Sequence, residues 1–83
     1  MASFDKSDTR SKVIDVIAHE LKIDKGMVTD VATLDSLGAD SLDIVQIIMH
    51  IEEQFGMEIN DEDAEHMRSL HDIVEYVHTR RSK

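Results

Sequence analysis

Leu37-Gly38-Ala39-Asp40-Ser41-Leu42-Asp43-Ile44-Val45-Gln46-Ile47-Ile48-Met49-His50-Ile51-Glu52-Glu53-Gln54-Phe55 decides the fold of this chain. From Ser41 to Gln54 it reads as one helix. Asp40 sits at the N-cap and Asp43 follows three residues on, an acidic version of the capping box. Leu42, Ile44, Val45, Ile48, Met49, Ile51 and Phe55 cover about half of a wheel drawn at ~100° per residue. Asp43, Gln46, His50, Glu53 and Gln54 form the opposite stripe, with Ile47 at its edge. So wide an apolar face predicts packing against more than one neighbour. The isoleucines also suit a strand, but the span is too long and the period is wrong.

Upstream, Val13, Ile14, Ile17 and Leu21 recur at helical spacing and predict a helix from about Asp8 to Leu21, with Ser7 or Asp8 as its cap. A connection runs from Lys22 to Ala39. A structureless loop of that length is uncommon, so Ile23, Met27, Val31, Leu34 and Leu37 are expected to pin it to the core. Downstream, Asn60 caps a short helix at Asp61–His66. A last helix follows Ser69, with Leu70, Ile73, Val74 and Val77 on one face and Asp72 completing its cap. Arg80, Arg81 and Lys83 complement its negative C-terminal end. There is no Pro, and the three glycines, Gly26, Gly38 and Gly56, fall between the periodic segments. The expected fold is all-α: a small four-helix bundle of three longer helices and one short helix, with residues 1–83 forming a single domain.

The charge is the next informative quantity. Eighteen acids against nine Lys and Arg give a formal net charge of -9 in 83 residues. Such a chain repels nucleic acid and anionic membrane and attracts basic protein surfaces. Disorder is the alternative for an acidic chain, and the apolar periodicity argues against it. The placement is uneven: no Lys or Arg lies between Lys25 and Arg68, a window that carries eleven acids. That window reads as a docking surface for a basic partner. The chain has no Cys, which excludes disulfides and thiolate metal sites. No apolar run approaches the ~20 residues of a membrane span. Met1–Lys6 lacks the apolar core of a signal peptide. A cytoplasmic protein without membrane insertion is expected.

Ser41 stands at the first turn of the central helix, after the small residues Gly38 and Ala39. Unpaired backbone N–H groups and the positive end of the helix dipole lie there, so a phosphate ester on Ser41 is electrostatically favoured. A serine at a helix start is, taken alone, an ordinary capping-region residue.

The longer text is more specific. Leu37-Gly38-Ala39-Asp40-Ser41-Leu42-Asp43, followed by Met49, Glu52-Glu53 and Phe55, resembles the acyl carrier proteins of dissociated (type II) fatty acid synthesis. The resemblance continues through Glu58-Ile59 and Asp61-Glu62-Asp63-Ala64-Glu65 to the last helix. It implies that a phosphopantetheinyl transferase esterifies Ser41, between Asp40 and Leu42, with a 4′-phosphopantetheine arm. The arm's thiol then carries growing acyl chains as thioesters. The chain is implied to be a monomeric carrier and no enzyme, serving fatty acid synthesis enzymes with basic docking patches. Asp35, Asp40, Asp43, Glu52, Glu53, Glu58 and Asp61, with the apolar contacts Val45 and Met49, match the family's docking residues. Leu37, Ile48, Ile51, Ile59, Ala64, Met67, Tyr76 and Val77 match the positions that shelter the acyl chain, and each also suits an ordinary core. Gln46, His50 and Ile44 depart from the family's usual residues, which bears on partner preference.

Other readings are weaker. His71, Glu75 and His78 share a helix face at zinc-ligand spacing, but such a set is commonly a solvated stripe. Asp61, Asp63 and Glu65 suggest a calcium loop, but His66 occupies the glycine position and Asp72 that of the bidentate Glu. Ser41 with His50 or His19 lacks the strand–turn–helix setting of a hydrolase nucleophile. Carriers of peptidyl, D-alanyl or polyketide cargo share the serine, and an unmodified acidic docking module would share the surface.

Overall fold

The computed structural model describes residues 5–81, which places Lys83 and the first four residues outside the described part. The chain order is α1 (Lys6–Leu21), a 3₁₀ turn (Lys25–Met27), α2 (Ser41–Phe55), α3 (Asp61–Ala64) and α4 (Leu70–Arg81). This is the expected set of three longer helices and one short one. The radius of gyration, 11.8 Å, matches the roughly 12 Å of a compact chain of this length.

Helix starts follow the caps that the sequence offers. The capping box closes on α2: Asp43 N–H donates to Asp40 Oδ1 at 2.8 Å, and Asp40 N–H to Asp43 Oδ2 at 3.1 Å. Asn60 Oδ1 accepts from Asp63 N–H at 2.7 Å, and Ser69 Oγ from Asp72 N–H at 3.1 Å. α1 begins two residues before the expected Asp8. Asp5 holds its N-cap position, and its carbonyl, not its side chain, accepts from Asp8 and Thr9 N–H.

α1 and α2 end alike. Each passes through a left-handed residue, Lys22 (φ 58°) and Gly56 (φ 63°). The next amides, Ile23 and Met57, reach back to the Ala18 and Glu52 carbonyls at 3.1 Å. Gly56 adopts this conformation without a Cβ penalty, whereas Lys22 carries one.

α1 is the central element and packs against both α2 and α4. The core is aliphatic: Val13 and Ile17 from α1, Ile47 and Ile51 from α2, and Ile73 and Val77 from α4 are all buried. The buried face of α2 differs from the expected one. Ile47, placed at the edge of the polar stripe, is fully buried, while Leu42, Val45 and Met49 are 66%, 53% and 48% exposed. The core lies on one side of α2 only, so the helix buries the narrower face centred on Ile47, Ile48 and Ile51 and turns the rest of its apolar half to solvent.

The connection is pinned at fewer points than expected. Leu34 is buried and Ile23 and Leu37 are half-buried, but Met27 and Val31 are exposed, and Val28 fills the core instead. Met27 lies on the 3₁₀ turn, which carries no buried residue. The backbone does the remaining work: Leu34 N–H donates to Arg68 O at 2.8 Å and Leu70 N–H to Ala32 O at 2.9 Å. These bonds form a single antiparallel bridge between Thr33 and Ser69. Gly38, at φ 92°, makes the last turn before Asp40.

The ends of α1 and α4 are stapled through Arg81. Its Nη1 lies 3.1 Å from both Asp8 Oδ2 and Thr9 Oγ1, and its guanidinium sits 4.8 Å from the centre of the Phe55 ring. Thr9, fully buried, is also 3.0 Å from His78 Nδ1. His78 faces Thr9 and Glu75 pairs with Lys6, so these two members of the histidine stripe are engaged with α1.

Candidate functional site

Ser41 is exposed at the first turn of α2. Ala39, buried beneath it, and the left-handed Gly38 bring the chain in without bulk on the outer side. The capping box consumes the Asp43 amide and the Asp40 carbonyl takes the Ile44 amide, which leaves the Ser41 and Leu42 amides without an intrahelical acceptor. A phosphate ester at Ser41 Oγ would meet these donors and the helix dipole, so the residues present fit a phosphopantetheine arm. The carboxylates of Asp40 and Asp43 are committed to the box and therefore stand in fixed positions beside the serine.

From Ser41 the exposed side of α2 presents a ridge of Leu42, Val45 and Met49, three large apolar side chains on adjacent turns. Exposed apolar side chains gathered in this way mark contact sites. Acids flank the ridge. Among the described residues, no Lys or Arg pairs with Asp40, Asp43, Glu52, Glu53, Glu58 or Asp61; the cations pair elsewhere, chiefly with acids of α1, α4 and the connection. Asp35 is the exception in the predicted docking set, 3.4 Å from Arg68. The surface is thus electrostatically divided, with the acids that no described Lys or Arg meets lying on and after α2.

Two acids of the set have internal work as well. The Glu52 carboxylate accepts the Ile59 N–H at 2.7 Å and so fixes the turn after α2. Glu53 lies 3.7 Å from His50 Nδ1, and Glu20 of α1 lies 3.2 Å from His50 Nε2. His50 therefore bridges the two helices on the flank of the ridge.

The eight predicted acyl-pocket residues fall together in the core. Ile48, Ile51, Ile59, Met67 and Val77 are buried, and Leu37, Ala64 and Tyr76 pack on them half-buried. They are closely packed here. An open groove of about 1170 Å³ lies elsewhere, between the end of α1, the connection and the second half of α2, and includes Val16, His19, Ile23 and His50. A smaller hollow beside Phe55, Gly56 and Arg80 also involves none of the eight.

One group of three was not read from the sequence. Tyr76 Oη donates to Asp63 Oδ2 at 2.7 Å, Arg80 Nη2 lies 3.3 Å from the same oxygen, and the guanidinium stacks 4.3 Å from the centre of the Tyr76 ring. Tyr76 and Arg80, four apart on one helix, carry the only signal that could have paired them. Burial, and next the hydrogen bond to Asp63, raise the pKa of the Tyr76 hydroxyl above its ordinary value, while the Arg80 charge pulls it down.

Comparison with known proteins identifies the family. Residues 11–77 match the family described as Phosphopantetheine attachment site. The acyl carrier protein of Syntrophobacter fumaroxidans (strain DSM 10017 / MPOB) is 49% identical over 67 residues, which cover 80% of this chain and 83% of that protein. A solved structure of the acyl carrier protein from Enterococcus faecalis superposes with a TM-score of 0.76 at 31% identity, covering 92% of this chain and 98% of that one. With the matched region running from α1 through α4 and the exposed serine at the head of α2, the chain belongs to the phosphopantetheine-attachment family and, within it, to the acyl carrier proteins, which carry fatty acyl chains on a phosphopantetheine arm.

Proposed function

We propose that Ser41 is the attachment residue and that the chain delivers growing fatty acyl chains to soluble synthesis enzymes without catalysing any step itself. The observation that carries this reading is the exposed hydroxyl of Ser41 at the dipole end of α2, beside two first-turn amides with no intrahelical partner. The arm supplies a thiol, which forms the thioester that this cysteine-free chain has no side chain to make. The chain's own residues orient and present. Asp40 and Asp43 hold the first turn rigid around the serine, and Leu42 remains clear of the core.

The docking face is the ridge of Leu42, Val45 and Met49 within its rim of acids. A phosphopantetheinyl transferase and the synthesis enzymes would meet it through basic patches. Each exposed ion pair is worth ~0–1 kcal/mol, so many such pairs give rapid, reversible visits. The described residues include no helix long and apolar enough to cross a membrane. We place the carrier in the cytoplasm as a monomer. Asp35, Glu58 and Asp61 extend the rim, and Glu52 contributes to it while fixing the Ile59 amide. The eight core residues from Leu37 to Val77 are the compartment that admits the acyl chain. Their aliphatic character favours repacking around a guest, since rigid rings are few.

The cargo distinguishes this reading from that of a peptidyl or D-alanyl carrier. The arm-bearing protein is incubated with acyl-transferring enzymes of fatty acid synthesis and, separately, with amino-acid-activating ligases. Intact mass is expected to show a fatty acyl thioester in the first mixture and no adduct in the second. The reverse pattern would move the chain to another class of carrier.

A further inference from the structure

α3 is anomalous among the helices: it has four residues and buries none of them. Isolated helices shorter than ~12–15 residues do not persist in water, so α3 is held by its surroundings. Ile59 before it and Met67 after it are buried and anchor its two ends. Between those anchors, the side chain that ties α3 sideways to α4 is Asp63. Its Oδ2 takes the Tyr76 hydroxyl at 2.7 Å and the Arg80 guanidinium at 3.3 Å. Arg80 in turn covers the Tyr76 ring. Each member of this triangle touches the other two. On the inner side of the same segment, Ala64 and Tyr76 pack on the core cluster that includes Ile51, Ile59, Met67 and Val77.

We propose that the Asp63–Tyr76–Arg80 triangle is a latch that keeps α3 closed on α4 and sets how often the apolar interior opens to an acyl chain. The proposal rests on the sheltering role given above to the core residues. Asp63 and the Tyr76 hydroxyl act as positioning groups in this account, holding α3 in place, while the Tyr76 ring remains part of the sheltering core and is kept in Tyr76→Phe. The physical basis is an imbalance. The flanking segments are fixed by buried aliphatic side chains, whereas α3 has only the half-buried methyl of Ala64 on the core and otherwise depends on polar contacts that water can replace. Hydrogen bonds to a charged acceptor are stronger than neutral ones, so one such bond can dominate a helix with no buried side chain.

The test compares the wild type with Tyr76→Phe, which keeps the ring and removes the hydroxyl, and with Asp63→Asn, which keeps the shape and removes the charge. Native-state hydrogen exchange is read at Ala64 and Met67, whose amides donate to Asn60 O and Ala64 O, and at buried α1 positions as a control. Exchange at α3 should rise about tenfold in either variant and stay unchanged in α1. In protein loaded with a medium-length acyl thioester, hydroxylamine cleavage should accelerate in parallel. The chain has one Tyr and no Trp, so ultraviolet titration reads Tyr76 alone. Asp63→Asn should bring its ionisation down towards the ordinary phenol range, because the hydrogen bond to the carboxylate is among the causes that raise it.

Unchanged exchange at Ala64 and Met67 in both variants would overturn the latch. So would faster exchange with unchanged cleavage, provided the wild-type thioester is protected relative to free acyl-pantetheine. If the wild-type thioester is cleaved as fast as the free one, the sheltering role has failed, and the gate falls with it.

Discussion

Ile47→Ala is expected to destabilise the protein by about 2–5 kcal/mol, while Leu42→Ala and Val45→Ala, on the same helix, should each change stability by no more than about 0.5 kcal/mol. All three are large apolar residues within two turns of α2, and a helical wheel alone puts Ile47 nearest the polar side. The structure reverses that order: Ile47 is fully buried and Leu42 is 66% exposed. Alanine is the better helix former by only a few tenths of a kcal/mol, too little to offset a cavity in the core. Small domains of this kind have about 5–15 kcal/mol in total, so Ile47→Ala should lower the denaturant midpoint by a large fraction. Equal losses at Ile47 and Leu42 would mean that α2 is rotated from the orientation described.

Met49→Lys combined with Glu53→Lys should slow association with a phosphopantetheinyl transferase roughly tenfold at low ionic strength and leave the fold intact. Both side chains are exposed: Met49 is 48% accessible and the Glu53 side chain 77%. Neither contributes to the buried core. The pair of changes removes one apolar contact of the ridge, removes one acid and adds two cations to the face proposed to receive basic partners. Stopped-flow association rates would report the effect. The gap between variant and wild type should narrow as salt rises, because the Debye length is about 8 Å at 0.15 M. An effect independent of salt would assign the loss to the Met49 contact alone. No loss would separate the ridge from docking.

Much of this fold is legible in the sequence, because local rules and the tertiary structure agree there. The Asp40–Asp43 box, the Asn60 cap and the Ser69 cap each need only a side chain that reaches three residues ahead, and all three formed as their spacing implies. The periodic set Leu70, Ile73, Val74 and Val77 is buried as a group. What failed needed information about neighbours. The exposed half of α2 could not be told from the buried half, because Leu42, Val45 and Met49 are as apolar as the core and are left outside by where α1 packs. Met27 and Val31 likewise look like anchors, whereas the connection is held by backbone bonds to Arg68 and Leu70, which carry no side-chain signal.

The site divides in the same way. Ser41 and its capping neighbours are contiguous, so their text alone placed them at the head of α2. The candidate acyl liners came from family resemblance and fall together in the core, but their burial follows equally from ordinary packing. Asp63, Tyr76 and Arg80 are 13 and 17 residues apart across the latch, too far for any local pattern to join α3 to α4. Arg81 reaches Asp8 over a separation of 73 residues, which only the packed bundle reveals.

The most direct measurement is intact mass after incubation with coenzyme A, magnesium and a broad-specificity phosphopantetheinyl transferase, with Ser41→Ala in parallel. Ser41 is exposed and its side chain makes no described hydrogen bond, so the alanine variant should fold as the wild type does. The wild type is expected to gain one phosphopantetheinyl group and the variant none. A folded wild type that gains nothing, or a variant that still gains the group, would contradict attachment at Ser41.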